Sequence, residues 1–259
     1  MSMPPFLHIV KIGGWVLEED AAWNTVVGAF SQLVGSKILV HGGGRKASEL
    51  GEALGIPVRM YQGRRITDAE TLEVVTMVYA GYYNKRLVAA LQAKGCNALG
   101  LSGADANSIR AHKRRGGEVD FGYAGDIDEI DHRGIGRLIE AGFTPVFCAL
   151  THDQHGQLLN TNADTIAAAL ATALSSTFAV RLRFCFEKPG VLRDPDRDES
   201  LIDRMTRSDY ARYRNEGIIQ GGMLPKLDNA FRALTGGAQE VSIGSYLDLS
   251  TKSGTILTL

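Results

Sequence analysis

Two short stretches near the start of the chain share one design, an apolar run that ends in consecutive glycines. They are residues 7–14, with the sequence LHIVKIGG, and residues 38–44, with the sequence ILVHGGG. An apolar run rich in β-branched residues predicts a buried strand, and glycine lets the following turn adopt positive φ and lets an anion approach backbone N–H groups. A helix that begins after such a turn adds partial positive charge. The two turns therefore predict strand–turn–helix units that hold a negatively charged group.

The spacing of apolar residues continues this alternation of strands and helices. Residues 20–34 have helical spacing, and a second helix is expected from Arg45 to Leu54. Such alternation predicts a parallel sheet covered on both faces, so the expected fold class is α/β, a three-layer α/β/α sandwich with a central, mostly parallel sheet. Further strands are expected at 97–101, 145–150, 179–186, 239–243 and 255–259, a β-hairpin at 109–123, and helices at 165–174 and 227–235.

Length and composition limit the classes of function. The 259 residues fit one large α/β domain or two closely joined lobes, and the expected lobes are 1–175 and 176–259. The balance of 28 Lys and Arg against 29 Asp and Glu indicates neither nucleic acid nor an anionic membrane as a partner. Cys96, Cys148 and Cys185 lack metal-ligand spacing and are expected to be buried thiols. No apolar run reaches the ~18 residues of a membrane span and no signal-peptide pattern is present, so a cytoplasmic protein is expected.

A long helix is expected to begin at Thr67-Asp68-Ala69-Glu70, which has the form of a capping box. Its apolar residues cover more than one face, because Val74, Met77 and Tyr83 lie off the main stripe. Two interpretations remain open at this point. The excess apolar surface fits a homodimer contact, and it fits a deeply buried core helix equally well.

The common phosphate-binding motifs are absent from the sequence. It contains neither G-x-x-x-x-G-K-[ST] nor a strand followed by G-x-G-x-x-G, which argues against a nicotinamide-dependent oxidoreductase. The chain instead carries short motifs spread along its length. They are Lys11-Ile12-Gly13-Gly14, His41-Gly42-Gly43-Gly44, Gly63-Arg64-Arg65-Ile66-Thr67, Asn160-Thr161-Asn162-Ala163-Asp164 and Gly222-Met223-Leu224-Pro225-Lys226.

In this order the five motifs resemble those of the amino acid kinase family, and within it the kinases that act on N-acetyl-L-glutamate in arginine biosynthesis. The resemblance implies a small-molecule substrate, ATP as co-substrate, Mg²⁺ bound with the ATP, and phosphoryl transfer to the side-chain carboxylate of an N-acylated glutamate. A carboxylate is already ionised at neutral pH, so this reaction needs no general base. Its obstacle is repulsion between anions, which positioned cations and N–H groups offset.

The resemblance also implies a role for each motif. Lys226 would bind the ATP phosphates, Lys11 would contact the transferred phosphoryl group, and Asp164 would hold both ammonium groups. Arg65 would bind the α-carboxylate of the substrate through a two-pronged contact. Of the remaining positions, Gly13 and Gly14 would donate N–H groups to the phosphoryl group, Gly43 and Gly44 to the attacking carboxylate, Asn160 and Asn162 would fix the amino-acid end, and Glu187, Gly190, Leu192 and Ile219 would bind the nucleotide.

Several alternatives stay open from the sequence. Asp164 could instead be the N-cap of the Ala-rich helix that follows it, and Asn160 and Asn162 could simply build a turn. The family usually carries Ser-Asp-x-x-Gly near the nucleotide, whereas this chain has Phe186-Glu187-Lys188-Pro189-Gly190. The acyl group could be succinyl rather than acetyl. A protein that keeps this fold only as an amino-acid or nucleotide sensor is the remaining alternative.

Overall fold

The computed structural model describes residues 4–61, 63–116, 118–249 and 253–259. The strands are β1 (Phe6–Ile12), β2 (Ser36–His41), β3 (Met60–Tyr61), β4 (Arg64–Arg65), β5 (Ala98–Leu101), β6 (Ile109–Lys113), β7 (Gly125–Ile130), β8 (Thr144–Cys148), β9 (Leu150–His152), β10 (Leu158–Asn160), β11 (Ala179–Phe186), β12 (Arg204–Thr206), β13 (Glu240–Ser245) and β14 (Thr255–Thr258). The α-helices are α1 (Gly14–Glu18), α2 (Asp20–Gln32), α3 (Gly44–Ala53), α4 (Ala69–Thr76), α5 (Asn84–Gln92), α6 (His132–Glu140), α7 (Ala163–Leu174), α8 (Arg207–Asn215) and α9 (Met223–Thr235).

The chain divides into two compact units. The terminal unit comprises Met1–Lys37 and Ala167–Leu259, and the middle unit comprises Ile38–Ile166. The predicted lobes, 1–175 and 176–259, were continuous in sequence, whereas the first 37 residues group with the C-terminal part. The first residues group with the C-terminal part because β1 pairs in parallel with β11 along its whole length.

The terminal unit is built on five strands in the order β12, β14, β13, β11, β1. β11 pairs in parallel with both β1 and β13, whereas β14 runs antiparallel to β13 and parallel to β12. Consecutive residues of β1 are buried, with Leu7, Ile9, Val10 and Ile12 each at most 1% exposed. A strand buried on both faces needs cover on both sides of its sheet, so the predicted α/β class with a mostly parallel sheet is confirmed.

The middle unit contains the parallel strands β2, β8 and β5, in that order, and a smaller sheet in the order β10, β9, β6, β7. The hairpin expected at 109–123 is wrong in its second strand, because β6 pairs with β7 at 125–130. Residues 121 and 123 form backbone hydrogen bonds with Thr67 instead: Thr67 N–H donates to Phe121 O, and Tyr123 N–H donates to Thr67 O. Residues 121 and 123 are therefore hydrogen-bonded to Thr67 and do not form the return strand of the hairpin.

The long helix expected after residue 67 is interrupted. Its N-cap is Asp68, whose side chain accepts from Thr71 N–H at 2.9 Å, so the helix begins one residue later than the predicted capping box required. Between α4 and α5 the chain forms a π-helix, Met77–Tyr83. This segment turns Tyr79 and Tyr83 into the core of the middle unit, where they are 5% and 2% exposed. π-helical turns of this kind often lie at functional sites.

The three cysteines are buried and not paired with one another, as predicted. None of the helices in the described ranges combines the length and apolar content that crossing a membrane requires.

Candidate active site

In the terminal unit, β1 and β11 end side by side. Lys11 lies opposite Phe184 and Ile12 opposite Cys185, and Gly13 N–H donates to Cys185 O at 3.0 Å. The Gly13-Gly14 turn therefore leaves the sheet at the carboxyl edge, where ligands bind in open α/β folds. Lys11 is only 9% exposed, so its aliphatic stem lies within the packed strands.

Lys226 lies in the first turn of α9, and its side chain reaches the same strand end. Its Nζ is 5.7 Å from the ring centroids of both Phe184 and Phe186. Burial raises the pKa of the Cys185 thiol to about 11, and Arg183, Lys11 and Lys226 oppose that shift. The charges of Lys11 and Lys226 both act on this thiol, so both side chains lie in the region around the end of β11. The thiol itself stays protonated, so it is not a nucleophile at neutral pH.

A cavity of about 550 Å³ lies beside this strand end. Three of the four predicted nucleotide-binding residues, Gly190, Leu192 and Ile219, line it, whereas Glu187 does not. The volume is in the range typical of small-molecule and cofactor pockets. The other lining residues, which were not among the four predicted to bind the nucleotide, are Phe186, Lys188, Val191, Arg193, Asp194, Pro195, Gly217, Ile218, Gln220 and Met223.

In the middle unit, the glycine turn after β2 requires glycine at its centre. Gly43 has φ of 150°, and a Cβ there would lie 2.7 Å from Cδ2 of the buried Tyr83. Its carbonyl accepts from Ala47 N–H at 3.0 Å, which starts α3. The first N–H groups of α3 have no partner within the helix, so the turn has the geometry of an anion-binding helix start.

Arg65 is anchored to this turn. Its Nη2 donates to Gly44 O and to Ser48 Oγ, both at 2.7 Å. Burial raises the pKa of the Tyr79 phenol, and the charge of Arg65 opposes that shift, which places the phenol beside the guanidinium. Arg65 is half-buried and Arg64 is exposed, in agreement with the choice of Arg65 from the motif.

Asn160 connects to Arg65 through one threonine. Its Nδ2 donates to Thr67 Oγ1 at 3.0 Å, and that hydroxyl donates to the backbone O of Arg65 at 3.4 Å. Asn162 has a different position: it is exposed, and its Oδ1 accepts from Thr165 N–H at 3.1 Å as the N-cap of α7. The alternative that Asp164 caps this helix is therefore wrong. Asp164 lies half-buried in the first turn.

Sequence reasoning did not identify Ser48 and Tyr79 as supports of Arg65. Ser48 follows Gly44 by one helical turn and donates to Gly44 O at 3.1 Å, so its spacing was an available signal. Tyr79 comes from a distant segment and left no local signal. Within the described ranges, no three His, Cys, Asp or Glu side chains form a group suited to a metal ion.

The chain is similar to known proteins over nearly its whole length. The model of the amino acid kinase family matches residues 7–245. Acetylglutamate kinase of Bacteroides fragilis is 52% identical over 254 residues, which cover 98% of this chain and 97% of that protein. Acetylglutamate kinase of Methanopyrus kandleri is 41% identical over 257 residues, covering 97% of this chain and 100% of that protein.

Two solved structures show the same fold. The protein smu.665 of Streptococcus mutans UA159 aligns with a TM-score of 0.80 at 26% identity, covering 97% of this chain and 98% of that one. Carbamate kinase from Giardia lamblia, bound to AMP-PNP, aligns with a TM-score of 0.67 at 14% identity, covering 99% of each chain. The family match spans most of the chain and contains all five motifs, and the relatives are matched over nearly their full length. This chain therefore belongs to the amino acid kinase family.

Proposed function

We propose that the protein is an ATP-dependent N-acetyl-L-glutamate kinase. It transfers the γ-phosphoryl group of ATP to the side-chain carboxylate and forms N-acetyl-L-glutamyl 5-phosphate, a step of arginine biosynthesis. The observation that carries this proposal is the 52% identity to an acetylglutamate kinase over 98% of the chain. Its need for ATP makes the cytoplasm the expected compartment.

The terminal unit supplies the donor side of this reaction. The cavity lined by Gly190, Leu192 and Ile219 takes the nucleotide, and Lys226, whose Nζ lies 5.7 Å from the ring centroid of the lining residue Phe186, binds the phosphates. Lys11 contacts the transferred phosphoryl group, with N–H groups of the Gly13-Gly14 turn beside it. These groups offset the charge that develops on the transferred group and on ADP, the main requirement of phosphoryl transfer.

The middle unit supplies the acceptor side. Arg65 is fixed by Gly44 O and Ser48 Oγ through one nitrogen, and its guanidinium forks onto the α-carboxylate of the substrate. The N–H groups of Gly43 and Gly44 bind the attacking carboxylate. Asn160, which is hydrogen-bonded to Thr67, contacts the amino-acid end of the substrate. Asn162 has the same proposed role and also caps α7 through its bond with Thr165.

Magnesium enters as part of the ATP complex. Mg²⁺ in phosphoryl-transfer sites is usually bound through substrate phosphates and water rather than by a dedicated cage of protein ligands. When bound, Mg²⁺ supplies charge neutralisation on the phosphates.

Steady-state turnover with a panel of acceptors tests the proposal. ADP release is expected with N-acetyl-L-glutamate and is not expected with free glutamate, aspartate, carbamate or UMP. Comparing turnover of N-acetyl-L-glutamate with that of N-succinyl-L-glutamate identifies the acyl group that the enzyme accepts. This preference depends on the residues that surround the acyl group. A preference for free amino acids or for UMP would place the protein elsewhere in the family.

We further propose that the protein is a homodimer that associates through the π-helix. Met77 and Tyr82 on this segment are 51% and 47% exposed, whereas Tyr83 is buried within the protomer. Sedimentation equilibrium is expected to give about twice the chain mass of 28.0 kDa. Met77→Lys should lower that mass, and Val34→Lys, at a position 88% exposed in the terminal unit, should not. A monomeric mass for the unmodified protein would contradict the proposal.

A further inference from the structure

The side chain immediately before the glycine turn belongs to a closed hydrogen-bond network. His41, at the end of β2, is completely buried, and so is Asn84 at the start of α5, which is 1% exposed. His41 Nδ1 lies 2.9 Å from Gly42 O, and His41 Nε2 lies 3.1 Å from Asn84 Nδ2. The same Nδ2 donates to Val146 O at 2.9 Å, and Lys85 Nζ donates to Asn84 Oδ1 at 3.2 Å.

This network permits one arrangement of protons. Gly42 O can only accept, so His41 Nδ1 must carry a hydrogen. Asn84 Nδ2 has two hydrogens, one directed to Val146 O and one to His41 Nε2, so Nε2 must be the acceptor. Lys85 Nζ can only donate, so the atom that it contacts is the amide oxygen Oδ1 and the atom that faces His41 is the amide nitrogen Nδ2. His41 is therefore the neutral Nδ1–H tautomer.

The charges around His41 agree with a neutral ring. Burial lowers the pKa of His41 to about 4, the bond to Gly42 opposes this, and the cation of Lys85 adds to it. The neighbour of His41 in β8 is Cys148, and burial raises the pKa of its thiol to about 12, so it brings no negative charge. A buried histidine whose pKa is lowered destabilises the fold as the pH falls from 6.5 to about 4.

The network has a direct consequence for the glycine turn. In a trans peptide the carbonyl and the following N–H point in opposite directions. Holding Gly42 O against His41 therefore directs Gly43 N–H away from the buried histidine. On its other side, Gly43 is confined by the ring of Tyr83. The orientation of this donor is thus set before any ligand binds, as electrostatic stabilisation by preorganised groups requires.

We propose that His41, held by Asn84, is a positioning residue that aims Gly43 N–H at the carboxylate of the phosphoryl acceptor. This inference rests on the proposed function, and it adds two residues that do not touch the substrate. A substitution that breaks the bond to Gly42 should weaken the use of the acceptor and leave the use of ATP unchanged, because the network lies wholly in the middle unit.

Two substitutions of similar size separate the two ring nitrogens. Asparagine can place its amide N–H where Nδ1 lies, whereas the glutamine amide extends toward the position of Nε2. His41→Asn is expected to keep the KM for N-acetyl-L-glutamate within about threefold, and His41→Gln to lower kcat/KM for this acceptor by about 10- to 100-fold. The KM for ATP should be unchanged in both. Leu91→Ala, a fully buried position on α5 outside the network, controls for lost stability and should leave both KM values unchanged.

Nitrogen-15 NMR of the histidine-labelled protein provides a readout independent of turnover. It should show one histidine as the Nδ1–H tautomer that stays neutral down to about pH 4 and is absent from His41→Asn. An Nε2–H tautomer at this position would overturn the proposal. So would an equal loss of kcat/KM for N-acetyl-L-glutamate in His41→Asn and His41→Gln. No turnover of N-acetyl-L-glutamate by the unmodified protein would instead refute the proposed function, whatever the tautomer.

Discussion

Lys226→Ala is expected to lower kcat by about 10²- to 10³-fold, the usual effect of removing one group that stabilises charge in a transition state. Lys226 Nζ lies 5.7 Å from the ring centroids of Phe184 and Phe186 near the end of β11, and Phe186 lines the nucleotide-sized cavity. Its charge matters most when negative charge builds on the departing ADP. The KM for the acceptor should therefore change much less than kcat.

The same substitution should leave the free energy of unfolding within about 1 kcal/mol, because a cation in the first turn of a helix is itself unfavourable. Arg232→Ala provides a matched control, since Arg232 is an exposed cation near the other end of α9. It should alter neither kcat nor stability appreciably. Steady-state kinetics and urea unfolding of the two variants measure both quantities. An unchanged kcat in Lys226→Ala would exclude this lysine from the reaction.

Arg65→Lys is expected to raise the KM for N-acetyl-L-glutamate by about 10- to 100-fold, since an ammonium group cannot make the two parallel bonds of a guanidinium. The loss has a second component. Arg65 uses one nitrogen to bridge Gly44 O and Ser48 Oγ, so a lysine would also loosen the side chain from the turn.

The neighbouring residue gives the control for this prediction. Arg64→Lys changes an exposed side chain on the same two-residue strand and should leave the KM for the acceptor unchanged. The KM for ATP should remain unchanged in both variants. Equal KM values for Arg65→Lys and Arg64→Lys would contradict the assignment of Arg65 to the substrate carboxylate.

The features that sequence reasoning predicted well are locally encoded. The strand expected at 179–186 has those bounds in the structure, because alternating large apolar residues fix both its type and its extent. The glycine turns were equally accessible, since only glycine suits the φ of 150° at Gly43. The helix at 165–174 also exists, although Asn162 and not Asp164 caps it.

The features that could not be predicted depend on pairs distant in sequence. Asn84 lies 43 positions after His41, and its amide becomes important only because the fold brings these two side chains within hydrogen-bond distance. The return strand of the 109–123 hairpin was misplaced because Thr67, far earlier in the chain, takes the backbone bonds of residues 121 and 123. Propensity and turn chemistry contain no information about such partners.

Trapping the product with hydroxylamine tests the proposed reaction most directly. Acyl phosphates react with hydroxylamine to give hydroxamates, so incubation of the unmodified protein with ATP, Mg²⁺ and N-acetyl-L-glutamate should yield one hydroxamate for each ADP released. The yield should fall with the rate in Lys226→Ala. Release of ADP without hydroxamate, or no dependence of ADP release on the acceptor, would contradict transfer to a carboxylate and with it the roles proposed for both units.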